Sequence, residues 1–424
     1  MENMNALSLN ILENIKIIGD ALCDCTDVTI IEKRLKENTR ICFCYINSFV
    51  DTDVLQRDFV KNIISMSSAA FRDKSVIYEI PFLKISTYSD INSIIKGILS
   101  GETLLLVDGI DYGISCDIKK IEKRPISEPE AEKNISGPHE GFIESINTNK
   151  ALLRRKINVQ NLKFKDIHLG NKTNQIVTIA YIDGIANPEI LNDLYNRISK
   201  INTDGIPSTG YIEQRISDSP NSLFPQFLST ERPYKAVAAL LEGRFVVLLD
   251  GTPVVLIAPV SFFAFFQALD DFSSNWMFGT FFRCIRLLGL LTAIILPALY
   301  IAITSFQYYL VPLGLIIPLA KSRSQVPFPP IVEALIMEIT IDMLRESAIR
   351  LPTYLSSTIG IVGGIIIGQS AVNAGIVSTL FIIVVSVTTI ASYAVPLYNI
   401  GLAVRLLRFA FMIMASLFGT VGVV

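Results

Sequence analysis

Charge is scarce in the last 179 residues of this 424-residue chain. The sequence holds 37 Lys and Arg and 39 Asp and Glu, but only 15 of these residues follow Phe245. Residues 287–320 and 351–404 contain none. Soluble domains do not sustain such runs, because about 20 apolar residues already span a bilayer. The sequence therefore predicts an α-helical multi-pass membrane domain over residues 261–424, preceded by a soluble α/β region.

Residues suited to catalysis are also few. His139 and His168 are the only histidines, and neither belongs to a Ser-His-Asp or Cys-His arrangement. The glycine spacing fits neither a phosphate-binding loop nor a dinucleotide fingerprint. We therefore expect a protein that is not an enzyme and that needs no cofactor.

Metal and nucleic-acid binding are not expected either. Four of the six cysteines form two C-x-C pairs, Cys23 with Cys25 and Cys42 with Cys44, whereas zinc sites usually have the spacing C-x(2–4)-C. The net charge of −2 comes with no clustered basic face. Residues 1–20 contain acidic side chains and lack the apolar core of a signal peptide, so we expect the soluble region to stay in the cytoplasm.

The soluble region contains an internal repeat. Residues 45–55 (YINSFVDTDVL) resemble 181–191 (YIDGIANPEIL), and LLLVDG at 104–109 resembles VVLLDG at 246–251. The two offsets are nearly equal, so we predict two related α/β lobes, at 1–118 and 158–260, joined by a linker at 119–157. Asp108 and Asp250 follow the later strands in Asp-Gly turns, and we assign them a structural role.

The membrane domain is predicted to begin with an aromatic-rich interfacial helix and to continue through four or five spans. The first span covers about 287–306, and Arg283 and Arg286 before it favour a cytoplasmic start. Residues 309–320 are too short to span alone, and the run after 351 is long enough for two spans, at about 356–374 and 376–396. Arg405 and Arg408 are interpreted as a second cytoplasmic edge.

A charged helix is predicted at 329–350, between the two uncharged runs. At 100° per residue, Glu338, Asp342 and Arg345 fall within an arc of about 60°, with Glu346 beside it. Two interpretations stay open. The helix either lies on the bilayer or against the lobes, with Asp342 and Arg345 paired, or it faces the axis of a ring of subunits and lines a cation path.

Small and polar residues recur at four-residue spacing after this helix. Gly360, Gly364 and Gly368 form the pattern that allows helices to approach closely in lipid. Gln369 and Asn373 extend a polar stripe towards a neighbouring helix or a water path. We expect the glycines to serve helix packing.

Specific motifs run from the linker to the end of the chain. In the linker they comprise Arg124, Glu128, Pro129, Glu132, Gly137, Pro138, Glu140, Gly141, Phe142, Asn149, Arg154 and Arg155. Further on they include YIDGIANPEI, TERP, DGTPVVLIAPVSFFAFFQ, VPFPPIVEALIMEI, RESAIRLP and GIVGGIIIGQSAVNAGIVS. Together these motifs resemble the A subunit of the GerA-type spore germination receptors of endospore-forming bacteria.

This resemblance implies a membrane subunit of a nutrient-sensing complex in the spore inner membrane, with its N-terminal region on the core side. Its implied partners are a transporter-like B subunit, a lipoprotein C subunit, further copies of itself and membrane lipid. The complex would release ions when an amino acid, sugar or nucleoside is sensed. Family members usually continue into a soluble tail, so we expect this chain, which stops at Val424, to be shorter.

Three classes of function were weighed on the sequence. A ligand-gated channel subunit agrees with the charged helix and the soluble region. A secondary transporter usually has inverted membrane repeats, and the only visible repeat here is in the soluble half. A non-conducting scaffold whose lobes bind partner subunits is the alternative to the channel.

Overall fold

The chain forms two units in a computed structural model that describes residues 6–73, 80, 84–118, 138–268, 270–273, 275–350 and 368–423. The N-terminal unit comprises Met1–Asn221 and Gln226–Val260, and the C-terminal unit comprises Ser222–Pro225 and Ser261–Val424. The predicted Gly360 and Gly364, and Glu128, Pro129 and Gly137 of the linker, lie outside the described residues.

The first lobe is a five-stranded sheet with helices before and between the strands. Its helices are α1 (Ile11–Ala21), α2 (Thr52–Val54, the π-helical Leu55–Val60 and Lys61–Ser65) and α3 (Ile91–Leu99). Its strands are β1 (Val28–Arg34), β2 (Arg40–Ile46), β3 (Ile85–Tyr88), β4 (Thr103–Val107) and β5 (Gly113–Cys116). The strand order is β1-β2-β4-β5-β3, and the neighbours are antiparallel.

The second lobe repeats this topology. Its helices are α4 (Ile146–Lys156), α5 (Pro188–Ser199), α6 (Thr209–Ile216) and α7 (Pro233–Leu241). Its strands are β6 (Leu162–Leu169), β7 (Gln175–Ile182), β8 (Leu228–Thr230), β9 (Phe245–Leu249) and β10 (Val255–Ala258). The order β6-β7-β9-β10-β8 matches that of the first sheet strand for strand, so the prediction of two related lobes is confirmed.

The repeat extends to individual hydrogen bonds. The backbone N–H of Ile11 donates to Asp108 Oδ1 over 3.2 Å, and that of Ile146 donates to Asp250 Oδ1 over 3.2 Å. Each carboxylate therefore holds the first turn of the helix that opens its own lobe. This is a structural role, in agreement with the Asp-Gly pattern.

We expect Asp108→Ala and Asp250→Ala each to lower the free energy of unfolding by about 1 kcal/mol, because each removes one hydrogen bond to a first helical turn. Amide hydrogen exchange of the detergent-solubilised chain should become faster in α1 for the first variant and in α4 for the second. Asp204→Asn, which removes an exposed ion pair with Lys172, is the control and should change neither helix. Faster exchange spread evenly over both lobes would contradict the assignment.

The C-terminal unit is helical. Its helices are α8 (Trp276–Ser305), α9 (Leu313–Arg323), α10 (Pro330–Ile349), α11 (Gly368–Asn373), α12 (Thr379–Tyr393) and α13 (Tyr398–Phe418). Short helical turns lie at Asp270–Ser273, Tyr308–Leu310 and Gly419–Gly422. Among the described residues, two helices are long and apolar enough to cross a membrane, Trp276–Ser305 and Tyr398–Gly422. Ala298, Ile301, Ala334, Phe381 and Met412 form part of the core between them.

The first long helix differs from its prediction. An interfacial helix reaching Trp276 and a separate span from residue 287 were expected, but α8 runs unbroken for 30 residues from Trp276 to Ser305. Before it, Phe262–Phe266 forms a short 3-10 helix. No strong helix breaker separates Trp276 from Pro297, so the helical ladder continues through the predicted boundary.

Candidate functional site

The charged face of α10 is turned into its own helix bundle. Glu338 is fully buried, and Arg408 of α13 donates a hydrogen bond to its Oε2 with only 1% of the arginine exposed. Sequence reasoning had interpreted Arg408 as a cytoplasmic edge, whereas it lies midway along α13. An arginine midway along an apolar helix is the signal for this contact, because an intramembrane charge normally has a partner inside the protein.

A second buried acid holds α10 to α12. Glu333 Oε1 accepts hydrogen bonds from Ser378 N at 2.7 Å and from Ser378 Oγ at 2.5 Å, and Glu333 Oε2 lies 3.3 Å from Arg323. Ser378 is the N-cap of α12 and also contacts the Tyr300 hydroxyl at 3.0 Å. Glu333 therefore holds the first turn of a neighbouring helix.

The C-terminal half of α10 is less tightly paired. Asp342 Oδ1 lies 3.9 Å from Arg345, and Arg345 donates to Ser392 Oγ at 3.0 Å. Among the described residues, Asp342 Oδ1 and Arg345 Nε are buried without a hydrogen-bond partner, as are Glu338 Oε1 and Arg408 Nε and Nη2. Glu346 pairs with Arg350 at the exposed end of the helix. Unsatisfied charged atoms are costly in an apolar bundle, so both charged pairs along α10 mark places for water or for rearrangement.

The opposite face of α10 exposes apolar side chains. Ile336, Ile339 and Met343 are between 37% and 66% exposed, while Glu333 and Glu338 are fully buried. This is the reverse of a helix on the surface of a water-soluble protein, and it suits a helix whose outer face meets lipid or another apolar surface.

The remaining predicted polar residues lie on α11. Gln369 and Asn373 are exposed, and a side chain at Gly368 would meet open space. Among the described residues, no helix therefore packs against Gly368.

The motif residues of the linker surround the start of the second lobe. The Arg232 guanidinium donates to Pro138 O at 3.1 Å, and the Phe142 N–H donates to Glu231 O at 2.8 Å. Glu140 pairs with Lys156 at 2.6 Å. Gly141 and Phe142 are buried and Arg155 is exposed, so these residues mainly fix the segment that leads into α4.

Arg154 joins the two lobes. Its guanidinium donates to both oxygens of Asp27, at 2.7 and 2.9 Å, and its side chain is fully buried. It also stacks 5.1 Å above the ring of Phe164 and donates to Leu162 O. Burial opposes its charge, but the hydrogen bonds and charge of Asp27 outweigh that effect and raise the pKa of Arg154 above its ordinary value.

Backbone contacts complete this junction. The Thr26 N–H donates to Phe164 O and the Phe164 N–H donates to Asp24 O, so the segment before β1 lies along the edge of β6. Lys163 Nζ donates to the carbonyls of Ala21 and Cys23 at the end of α1. The two lobes therefore share hydrogen bonds that neither can make alone.

A polar cleft of about 320 Å³ opens between the lobes. It is lined by Asn47, Ser48, Val50, Asp51, Thr52 and Asp53 of the first lobe and by Ser145 and Asn147 of the second. Asp51 caps α2 and Ser145 caps α4. Part of the polar lining therefore already has partners in helix capping.

The chain is similar to known proteins over nearly its whole length. A family model described as Bacillus/Clostridium GerA spore germination protein matches residues 16–424. Spore germination protein GerLA of Bacillus cereus is 38% identical over 433 residues, with 100% of this chain and 87% of that protein covered. Uncharacterized membrane protein YfkQ of Bacillus subtilis (strain 168) is 35% identical over 423 residues, with 98% and 82% covered.

A solved structure is also similar. It is the crystal structure of the N-terminal domain of the A subunit of the Bacillus megaterium spore germinant receptor GerK3, which is 29% identical. The match covers 61% of this chain and 97% of that one, with a TM-score of 0.45.

Proposed function

The chain belongs to the Bacillus/Clostridium GerA spore germination protein family, and on that premise we propose that it is a membrane subunit of a nutrient germinant receptor that oligomerises into a ligand-gated ion channel. Spore germination protein GerLA is among its relatives, and the two long apolar helices agree with a membrane protein.

The proposed setting is the spore inner membrane, with the N-terminal unit on the core side. The partners are a transporter-like B subunit, a lipoprotein C subunit and further copies of this chain. Arg283 and Arg286 near the start of α8 support this orientation, because basic residues favour the cytoplasmic side. Both contact Asp271, at 3.3 and 2.6 Å, which fixes them beside the beginning of the helix.

The observation that carries the channel proposal is the incomplete pairing on α10. Arg408 holds Glu338 Oε2 and is suited to anchoring the helix, whereas Asp342 and Arg345 lie 3.9 Å apart. Each pair also keeps buried atoms without a hydrogen-bond partner among the described residues. A ring of subunits that turned the C-terminal half of α10 towards its axis would hydrate these groups. Repeated carboxylates of Asp342 and Glu346 would then favour cations.

A non-conducting scaffold is the second candidate. The ion pair of Glu338 with Arg408 favours the scaffold, since Glu338 is already neutralised within one chain and offers no free charge to a passing ion. In this alternative the lobes bind the partner subunits, α10 serves only to hold the bundle together, and ions pass through another subunit.

The test is ionic current in planar bilayers, measured on the purified chain alone and with its partner subunits. We expect an Asp342→Asn, Glu346→Gln variant to assemble normally and to lose several-fold in its preference for cations over anions, because it removes two carboxylates per subunit. Glu32→Gln, which removes an exposed carboxylate from β1, is the control and should keep the selectivity. Assembled protein that conducts nothing in either setting would overturn the channel and leave the scaffold.

A further inference from the structure

The internal repeat shows which surface of each lobe is used at the junction. Asn14 and Asn149 make the same pair of bonds to the backbone six residues earlier, so α1 and α4 are equivalent with an offset of 135 residues. Between the lobes, the loop after β2 lies across the cleft from the first turn of α4. The equivalent loop after β7 and the equivalent first turn of α1 take no part in this junction.

Most of the large apolar side chains that the described part of the N-terminal unit exposes lie on or near those two surfaces. Four belong to a loop patch, which we define as Val159, Ile185, Ile190 and Leu241. The other three lie on or just before α1 and are Leu9, Leu12 and Ile17. Exposed apolar groups concentrated on two surfaces mark sites of association.

The positions equivalent to the loop patch are covered in the first lobe. Cys25 and Leu99, equivalent to Val159 and Leu241, are only 7% and 4% exposed. Phe49, equivalent to Ile185, is half-buried, whereas Ile185 is 55% exposed. Two of these positions lie at or beside contacts with the second lobe, since Cys25 Sγ is 3.7 Å from Leu162 O and Ser100, next to Leu99, accepts a hydrogen bond from Asn158 just after α4.

On α1 the equivalent positions are open. Leu12 corresponds to Asn147, which lines the cleft, and it is 47% exposed. Gly19 corresponds to Arg154, and a side chain added there would have open space around it. We define Leu9, Leu12 and Gly19 as the helix patch.

We propose that a second copy of this chain docks head to tail, with its helix patch on the loop patch of the first copy. The contact continues the junction seen between the two lobes and uses different surfaces on the two partners. Such a heterologous contact forms a ring when the rotation closes. The inference rests on the oligomeric function proposed above and names the surface through which the N-terminal units would associate.

The contact between copies differs chemically from the junction within the chain. The buried pair of Arg154 and Asp27 is replaced at the equivalent positions by Gly19 and Asn161, so no buried charge is involved. Leu12 stands where the junction has Asn147, which makes the contact more apolar. The affinity of the contact between copies would therefore depend less on salt concentration. Forming the contact would not require the desolvation of an ion pair.

Disulfide cross-linking of the full chain in its membrane tests this contact. The exposed Cys23 and Cys284 are first replaced by serine, and Leu12→Cys and Ile185→Cys are then introduced together. We expect mild oxidation to give a ladder of covalent oligomers. A mixture of the two single variants should stop at dimers, and either single variant alone should remain uncross-linked.

The matched control pairs Leu12→Cys with Lys172→Cys, an exposed position at the opposite end of β7 from Ile185. This pair should give no ladder. If uncross-linked material in nanodiscs is oligomeric by mass photometry but the Leu12→Cys, Ile185→Cys pair gives no ladder, the docking surface is wrong and the oligomeric function stands. If the chain is monomeric in nanodiscs and in mixed membranes with its partners, both proposals are overturned.

Discussion

Replacing Arg154 with methionine is expected to lower the free energy of unfolding of the N-terminal unit by roughly 3–5 kcal/mol, because the Asp27 carboxylate would remain in a dry site without its partner. Both side chains are almost fully buried, and the arginine makes two hydrogen bonds to the carboxylate. Hydrogen exchange of the detergent-solubilised chain during a urea titration would measure the loss. We expect α4 and β6 to lose protection at lower urea than in the native sequence.

Arg155→Met is the matched control for this prediction. Arg155 is the next residue of the same helix and is exposed, so its loss should change stability by no more than about 0.5 kcal/mol. Combining Arg154→Met with Asp27→Leu should recover much of the loss, since a pair without charge needs no solvation. Equal effects of Arg154→Met and Arg155→Met would show that the buried pair does not hold the lobes together.

The linker motif shows how far the sequence could lead. The resemblance placed Arg154 and Arg155 together in a family motif. The sequence could not show that one is buried and the other exposed, because the partner of Arg154 lies 127 residues earlier in another lobe. Contacts between lobes depend on how two folded surfaces meet, and hydrophobic periodicity within either lobe does not record that.

More of the internal repeat could be predicted from the sequence. Similar strand and turn sequences 136 and 142 residues apart were enough to infer two related lobes. The strand order was not predictable in this way, because antiparallel pairing depends on contacts between distant segments. Only the structure shows that both sheets share one order and that Asp108 and Asp250 hold equivalent helices.

The charged helix shows what the sequence could not predict. Its helical period and the common arc of Glu338, Asp342 and Arg345 followed directly from spacing. The direction of that arc did not, because helical periodicity shows which residues share a face and leaves open what the face meets. Within one chain, Glu338 accepts a hydrogen bond from Arg408, which lies 70 residues further on.

Glu338→Ala is expected to reduce the amount of folded protein in the membrane sharply, at a cost of roughly 3–5 kcal/mol, because Arg408 would be left charged inside an apolar helix bundle. Arg408→Ala should have a similar effect by stranding the carboxylate. The measurement is the yield of protein in the membrane fraction, followed by its aggregation temperature after solubilisation. Glu346→Ala removes an acid from the exposed end of the same helix and should leave both unchanged.

A variant without charge at both positions distinguishes an effect on folding from an effect on conduction at this site. Glu338→Leu with Arg408→Met should restore the yield, because apolar residues can replace a buried ion pair at little cost. If this variant assembles and conducts with native selectivity, Glu338 acts only as the anchor of α10, and the cation path depends on Asp342 and Glu346. If it assembles but no longer conducts, the ion pair itself belongs to the opening transition. If Glu338→Ala is as stable as Glu346→Ala, the ion pair does not hold α10 to α13, and the anchoring role is wrong.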